Sequence, residues 1–110
     1  MHVQVVTYKI PETTDAEFVA ANQEFASLMA AVPRLLAKIW LKAPDGNVGG
    51  VYFWRDREAY EDFTGSELWA SVLEDDSLSD LESRNYATMG ELSRLTQPGL
   101  AWRTRSGKMA

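Results

Sequence analysis

The stretch that decides the fold runs Leu35-Leu36-Ala37-Lys38-Ile39-Trp40-Leu41-Lys42, then Ala43-Pro44-Asp45-Gly46-Asn47, then Val48-Gly49-Gly50-Val51-Tyr52-Phe53-Trp54. Two segments rich in β-branched and aromatic residues flank a cluster of turn formers, which is the signature of a β-hairpin. Gly46 and Asn47 tolerate positive φ at the reversal. Val51 to Trp54 is apolar at every position, and Ile39 to Leu41 is apolar throughout. A strand with one wet face alternates, so continuous apolarity predicts that both faces of this hairpin are covered.

Outward from the hairpin, the pattern predicts a strand at Val3 to Ile10, stopped by Pro11. Thr14-Asp15-Ala16-Glu17 has the spacing of a capping box. Phe18, Ala21, Phe25, Leu28, Met29 and Val32 then recur at helical spacing up to Pro33. After the hairpin, Asp56 is an N-cap for a helix carrying Ala59, Tyr60 and Phe63. Gly65 interrupts it, and Ser66 caps a further segment carrying Leu68, Trp69, Val72 and Leu73. Glu74 to Asp80 reads as a solvated acidic loop, Leu81 to Gly90 as the last strand, and Glu91 to Leu95 as a short helical turn. The expected division is one domain over 1–96 and a polar tail over 97–110, mobile unless Leu100-Ala101-Trp102 docks on a partner.

This order, β-α-β-β-α-β, predicts an α+β fold of ferredoxin-like type: a four-stranded antiparallel sheet with both helices on one face. Helices cover only that face. A twofold-related copy is the expected cover for the other, so the sequence predicts a homodimer.

The chain has 110 residues, a formal charge of −5 and no cysteine. That length fits one domain. The acidic balance weighs against nucleic acid and anionic membranes, which need a basic footprint. No apolar run reaches the roughly 20 residues of a membrane span. Without cysteine there is no disulfide, thiolate metal site or cysteine nucleophile. The start Met1-His2-Val3-Gln4 lacks signal-peptide features, so a cytoplasmic location is expected.

The hairpin also carries a resemblance. Lys38-Ile39-Trp40, followed by Gly49-Gly50-Val51-Tyr52-Phe53-Trp54-Arg55-Asp56, resembles the YdhR-like mono-oxygenase family, part of the dimeric α+β barrel superfamily. Gly90-Glu91-Leu92-Ser93-Arg94-Leu95-Thr96 is similar to that family's closing segment. The likeness extends from the first strand to about Leu95 and leaves out the tail. It implies two sheets joined as a barrel across a dimer, with a small-molecule pocket between helices and sheet in each subunit. Superfamily members include oxygenases of aromatic polyketides that need neither flavin nor metal, together with cyclases, isomerases and haem-degrading enzymes.

The activity so implied is a cofactor-independent mono-oxygenase whose partners are molecular oxygen and an aromatic, quinol-like or polyketide-type molecule, with no cofactor and no metal. Such chemistry needs an apolar cavity, a donor for an oxyanion and a base. Tyr52 and Trp40 are the candidate donors, and Lys38, on the same strand face as Trp40, is the candidate charge stabiliser. Trp54, Phe25, Met29, Phe63 and Trp69 are the candidate pocket wall. The competing expectation is that these aromatic residues simply fill the core and Lys38 reaches solvent. Gly49-Gly50 marks either close approach of a ligand or backbone, or a β-bulge, with the bulge favoured. His2, the single histidine, is expected at the surface or a sheet edge. A cofactor-free cyclase, isomerase or dehydratase would need the same pocket. A non-catalytic small-molecule-binding module is the third reading, and its RNA-recognition form is disfavoured by charge.

Overall fold

A computed structural model describes residues 1–97 of the chain, so the expectation for the segment from Pro98 onward lies outside the described residues. The elements are β1 (His2–Lys9), α1 (Asp15–Ala30), β2 (Leu35–Lys42), β3 (Val48–Trp54), α2 (Arg57–Thr64), α3 (Glu67–Leu73), β4 (Ser79–Ala87) and α4 (Gly90–Leu95). The strands form one sheet in the order β2-β3-β1-β4, and every neighbouring pair is antiparallel. This is the ferredoxin-like α+β fold that the hairpin and its flanks predict.

Local chemistry sets the helix starts. The Thr14 hydroxyl accepts from the Glu17 backbone N–H at 3.1 Å, while the Glu17 carboxylate accepts from the Thr14 N–H at 3.1 Å, closing the capping box. The Thr14 N–H, with the Thr14 and Thr13 hydroxyls that also donate to it, holds the Glu17 carboxyl below its ordinary range. Asp56 accepts from the Ala59 N–H at 2.9 Å, and Ser66 from the Trp69 N–H at 3.3 Å. Between α1 and β2 the chain turns through Arg34 at φ 67°, a left-handed conformation uncommon outside glycine. Its guanidinium pairs with Glu58 and Asp62 of α2 and ties the start of β2 to that helix.

Strand register sorts the side chains. His2, Gln4, Val6 and Tyr8 of β1 share the helix-covered face with Tyr52 and Trp54 of β3 and with Lys38, Trp40 and Lys42 of β2. The core beneath the helices contains Val6, Met29, Tyr52, Trp54, Ala59, Phe63 and Trp69. Its aromatic column runs from Tyr52 stacked on Trp54 (6.0 Å) to Phe63 against Trp54 (5.0 Å) and Trp69 against Phe63 (5.5 Å). The opposite face carries Val3, Val5, Thr7, Val51, Ile39 and Leu41, with Tyr86, Arg84 and Glu82 of β4 beside Val3, Val5 and Thr7. Ile39, Leu41 and Tyr86 are exposed there.

Several expectations are corrected. Gly49-Gly50 is not a bulge: β3 pairs in unbroken register from Val48 to Trp54 with β1, and the irregularities fall between Leu35 and Ala37 and between Thr7 and Lys9. Asn47 does not adopt positive φ; Gly46 alone in the turn does, at 91°, and the Asn47 N–H is held by the Asp45 carboxylate at 2.9 Å. The acidic loop is shorter than expected, because Ser79 and Asp80 already belong to β4, where Ser79 pairs with Lys9. Gly90 begins α4 rather than ending the strand. His2 is 4 % exposed rather than superficial: its Nε2 lies 2.8 Å from Asn85 Oδ1, and its ring packs on Tyr60. Even Met1 is tied into the sheet edge through its carbonyl, which accepts from the Thr88 hydroxyl.

Candidate active site

On the helix-covered face, Lys38 pairs across the hairpin with Tyr52, and Trp40 pairs with Gly50. The Lys38 ammonium sits 3.6 Å from the centre of the Trp40 ring, 4.7 Å from Tyr52 and 4.8 Å from Phe25 of α1. Three aromatic faces thus surround one cation. Among the described residues no carboxylate lies within ion-pair distance of it. Burial lowers its pKa from the ordinary 10.5 to about 8. The ring quadrupoles act in the opposite sense, favouring the charged form. Lys38 therefore holds its proton less firmly than an exposed lysine does.

Tyr52 is 3 % exposed, yet its hydroxyl has no hydrogen-bond partner among the described residues. No fully buried side-chain polar atom among them lacks a partner, so the Tyr52 hydroxyl reaches accessible space. Burial, with the nearby Tyr8 phenol, pushes its pKa well above the ordinary 10. Tyr52 stays a neutral donor throughout the physiological range. Tyr8, on the same face of β1, is half-buried and likewise raised, by burial and then by the charge of Asp75. Sequence reasoning passed over Tyr8, although its even-numbered spacing from Gln4 and Val6 places it on their face.

A cavity of about 880 Å³ opens between the first half of α1 and the hairpin end of the sheet, lined by Phe18, Val19, Asn22, Trp40, Val48 and the Ile10 to Asp15 connection. At its rim Lys42 Nζ pairs with Asp15 Oδ1 at 2.6 Å. Trp40 stands edge-on to Phe18 (6.1 Å) and to Phe25 (6.3 Å). It is therefore a shared wall, with the cavity on one side and Lys38 over its ring.

Of the residues singled out from sequence, the fold brings Lys38, Trp40, Tyr52 and Phe25 together. It places Trp54, Met29, Phe63 and Trp69 in the buried core together with Tyr52, and of all the residues singled out only Trp40 lines the cavity; Lys38, Tyr52 and Phe25 lie behind it. Trp54 is fully buried and its indole N–H donates to Gln4 Oε1 at 3.1 Å; Gln4 in turn donates to Ser83 Oγ at 3.0 Å. Phe18 and Asn22, which line the cavity, were not singled out as site residues. Phe18 belonged to the expected apolar stripe, and nothing local to Asn22 marks it.

Residues 3–99 match the family model described as "Putative mono-oxygenase ydhR". The chain belongs to the ydhR family. Among solved structures it is similar to SnoaB, a cofactor-independent oxygenase from Streptomyces nogalater, at 18 % identity and a TM-score of 0.61, over 80 % of this chain and 93 % of SnoaB. ActVA-Orf6, a monooxygenase of Streptomyces coelicolor solved with nanaomycin D, shares 19 % identity with a TM-score of 0.63, over 81 % and 88 % of the two chains. A MhuD variant holding two manganese protoporphyrin IX per active site shares 13 % identity with a TM-score of 0.64, over 81 % and 95 %. At such identities the likeness is one of fold. No curated protein matches the chain.

In this ydhR-family protein the one imidazole, His2, is enclosed by Asn85 and Tyr60 and is not among the residues lining the cavity. Among the described residues no group of three or more His, Asp or Glu side chains is placed to hold a metal ion, and no helix is long and apolar enough to cross a membrane. What the site does contain is an apolar wall, a cation without a counter-charge and a neutral phenol. Together they can bind a planar ring, stabilise an oxyanion and move one proton.

Proposed function

We propose that this ydhR-family protein is a mono-oxygenase that uses molecular oxygen, without flavin or metal, on an aromatic, quinol-like or polyketide-type small molecule bound against Trp40. The observation that carries this reading is the Lys38 ammonium held between Phe25, Trp40 and Tyr52 with no carboxylate partner among the described residues. An uncompensated, half-buried cation is costly, and an anionic ligand group would supply the missing counter-charge. The SnoaB and ActVA-Orf6 likenesses support the reaction class through the fold they share.

An anthrone-type substrate carries an acidic CH₂ conjugated with its carbonyl. The substrate loses a proton to Lys38 in its neutral form, and the resulting oxyanion accepts a hydrogen bond from the Tyr52 hydroxyl while pairing with the new ammonium. The delocalised anion gives one electron to oxygen; superoxide and the carbon radical combine to form the carbon–oxygen bond. The peroxide takes a proton from Lys38; as the O–O bond breaks, the carbon passes its second hydrogen as a proton to the neutral Lys38 amine, which returns it to the departing hydroxide. One oxygen atom remains as a carbonyl and the other leaves as water. All the electrons come from the substrate.

The working unit in this reading is a homodimer in which a second copy covers the Val3, Val5, Ile39, Leu41 and Val51 face, with 1–96 as the barrel-forming domain. The exposure of Ile39, Leu41 and Tyr86 on the sheet face away from the helices supports it, with the Arg84–Glu82 ion pair of β4 at the edge of that face.

Oxygen uptake by metal-stripped protein with hydroquinones, anthrones and polyphenols tests the reaction. Uptake above autoxidation, lost in Tyr52→Phe and Lys38→Met, is the expected result. Conversion of those compounds without oxygen consumption would replace the oxygenase with a cyclase, isomerase or dehydratase using the same proton-handling pair. Saturable quenching of tryptophan fluorescence without conversion would reduce the site to a binding module.

A further inference from the structure

Gly50 has no conformational reason to be glycine. It lies mid-strand in unbroken register, and its φ is not in the positive region, where Gly46 alone among the described glycines falls. A glycine there weakens a strand unless the space above it is needed. At neighbouring Gly49 the need is structural: an added Cβ would come 2.1 Å from the Val6 carbonyl oxygen, so the backbone of β1 occupies that space. At Gly50 the neighbour is different. An added Cβ would lie 2.8 Å from Lys38 Cε and 3.7 Å from Lys38 Cγ, with the Ile39 carbonyl at an ordinary 3.4 Å.

Lys38 pairs with Tyr52, so Gly50 is its diagonal neighbour on β3. The lysine stem leans across the hairpin into the space a side chain at 50 would fill, and this lean carries Nζ under the Trp40 ring and between Phe25 and Tyr52. We infer that Gly50 is a positioning residue: its missing side chain is the seat that holds the Lys38 stem and delivers the amine to the three-ring site. The inference deepens the proposed function and rests on it only for the catalytic meaning of Lys38; the positioning itself is a matter of geometry. The conflict created by a methyl group at 50 falls on the far end of a flexible side chain. The fold therefore survives Gly50→Ala while Lys38 is displaced towards solvent.

The test is NMR of protein labelled with ¹³C-lysine, in which Lys38 is one of four lysines and is assigned by its loss in Lys38→Met. In the wild type the Lys38 ε-CH₂ protons are shifted upfield by ring currents and titrate with a midpoint near 8. In Gly50→Ala they move to the positions of the other lysines, and the midpoint rises towards 10.5. A Gly50→Ala protein whose Lys38 resonance stays upfield with the same midpoint overturns the inference. Should Gly50→Ala fail to fold, the double variant with Lys38→Ala decides: recovery of the fold supports the lysine seat, and continued failure overturns it by placing the conflict in the backbone. Oxygen uptake is read alongside and is expected to fall at least tenfold in Gly50→Ala. Displacement of Lys38 with uptake unchanged leaves Gly50 as its seat and removes Lys38 from the proposed reaction.

Discussion

Replacing Lys38 by Met keeps an unbranched apolar stem out to Cε and removes the charge, so the two contributions at this position can be separated. Lowering the lysine from 10.5 to about 8 by burial corresponds to about 3 kcal/mol of unfavourable desolvation at roughly 1.36 kcal/mol per pH unit. The three aromatic faces offset this by about 0.5–1 kcal/mol each. Lys38→Met is therefore expected to be more stable than the wild type at pH 7 by up to about 1.5 kcal/mol, since a thioether fits the same apolar surroundings. The pH dependence has a definite sign. Between pH 8 and 10.5 the unfolded wild-type chain holds more protons at this position than the folded one, so wild-type stability rises across that window. The advantage of Lys38→Met is full below pH 8 and narrows as the pH approaches 10.5. Urea denaturation at fixed protein concentration, at pH 7 and pH 10, reads both quantities, with oxygen uptake measured in parallel. A variant that gains stability while losing activity identifies a residue retained for function at a cost to the fold. A variant less stable at pH 7, or an advantage that does not change with pH, would refute the desolvation argument.

Tyr52→Phe removes a hydroxyl that has no partner among the described residues, so the melting temperature should stay within about a degree or two while oxygen uptake falls by about 100-fold, the usual scale for a lost oxyanion donor. Gln4→Leu leaves the buried Trp54 indole N–H without its acceptor and should cost about 1–3 kcal/mol by urea denaturation; a neutral result would mean that the indole finds another partner. Ile39→Lys places a charge on the exposed apolar sheet face, and light scattering at micromolar concentration should show conversion of a dimer to a monomer. A wild type that is already monomeric would remove the barrel reading.

The hairpin was legible because each of its signals is local. Turn chemistry over Pro44 to Asn47 fixed where the chain reverses, and β-branched and aromatic runs on either side fixed what it connects. The same holds for Thr14, Asp56 and Ser66, whose side chains satisfy N–H groups only three residues away. The start of β4 was missed for a related reason. Ser79 and Asp80 have poor strand propensity, and only pairing of Ser79 with Lys9 recruits them. His2 was misplaced because a chain start looks exposed until Asn85 and Tyr60, far away in sequence, close around it.

The sequence by itself determined the element order, the antiparallel β2-β3 hairpin, the caps and the family, since all of these depend on residue type and short spacing. It also put Lys38 and Trp40 on one strand face, because alternation has a period of two. Only the tertiary structure decided what that face meets. Strand register set Tyr52 opposite Lys38 and left the Gly50 space beside it, and the placement of α1 brought in Phe25 as the third ring. The same packing separated Trp40, which reaches the cavity, from Trp54, Phe63 and Trp69, which do not. These aromatic residues share composition and helix- or strand-like spacing. Their roles differ because burial and solvent access depend on contacts between segments distant in the chain, and no local pattern records those contacts.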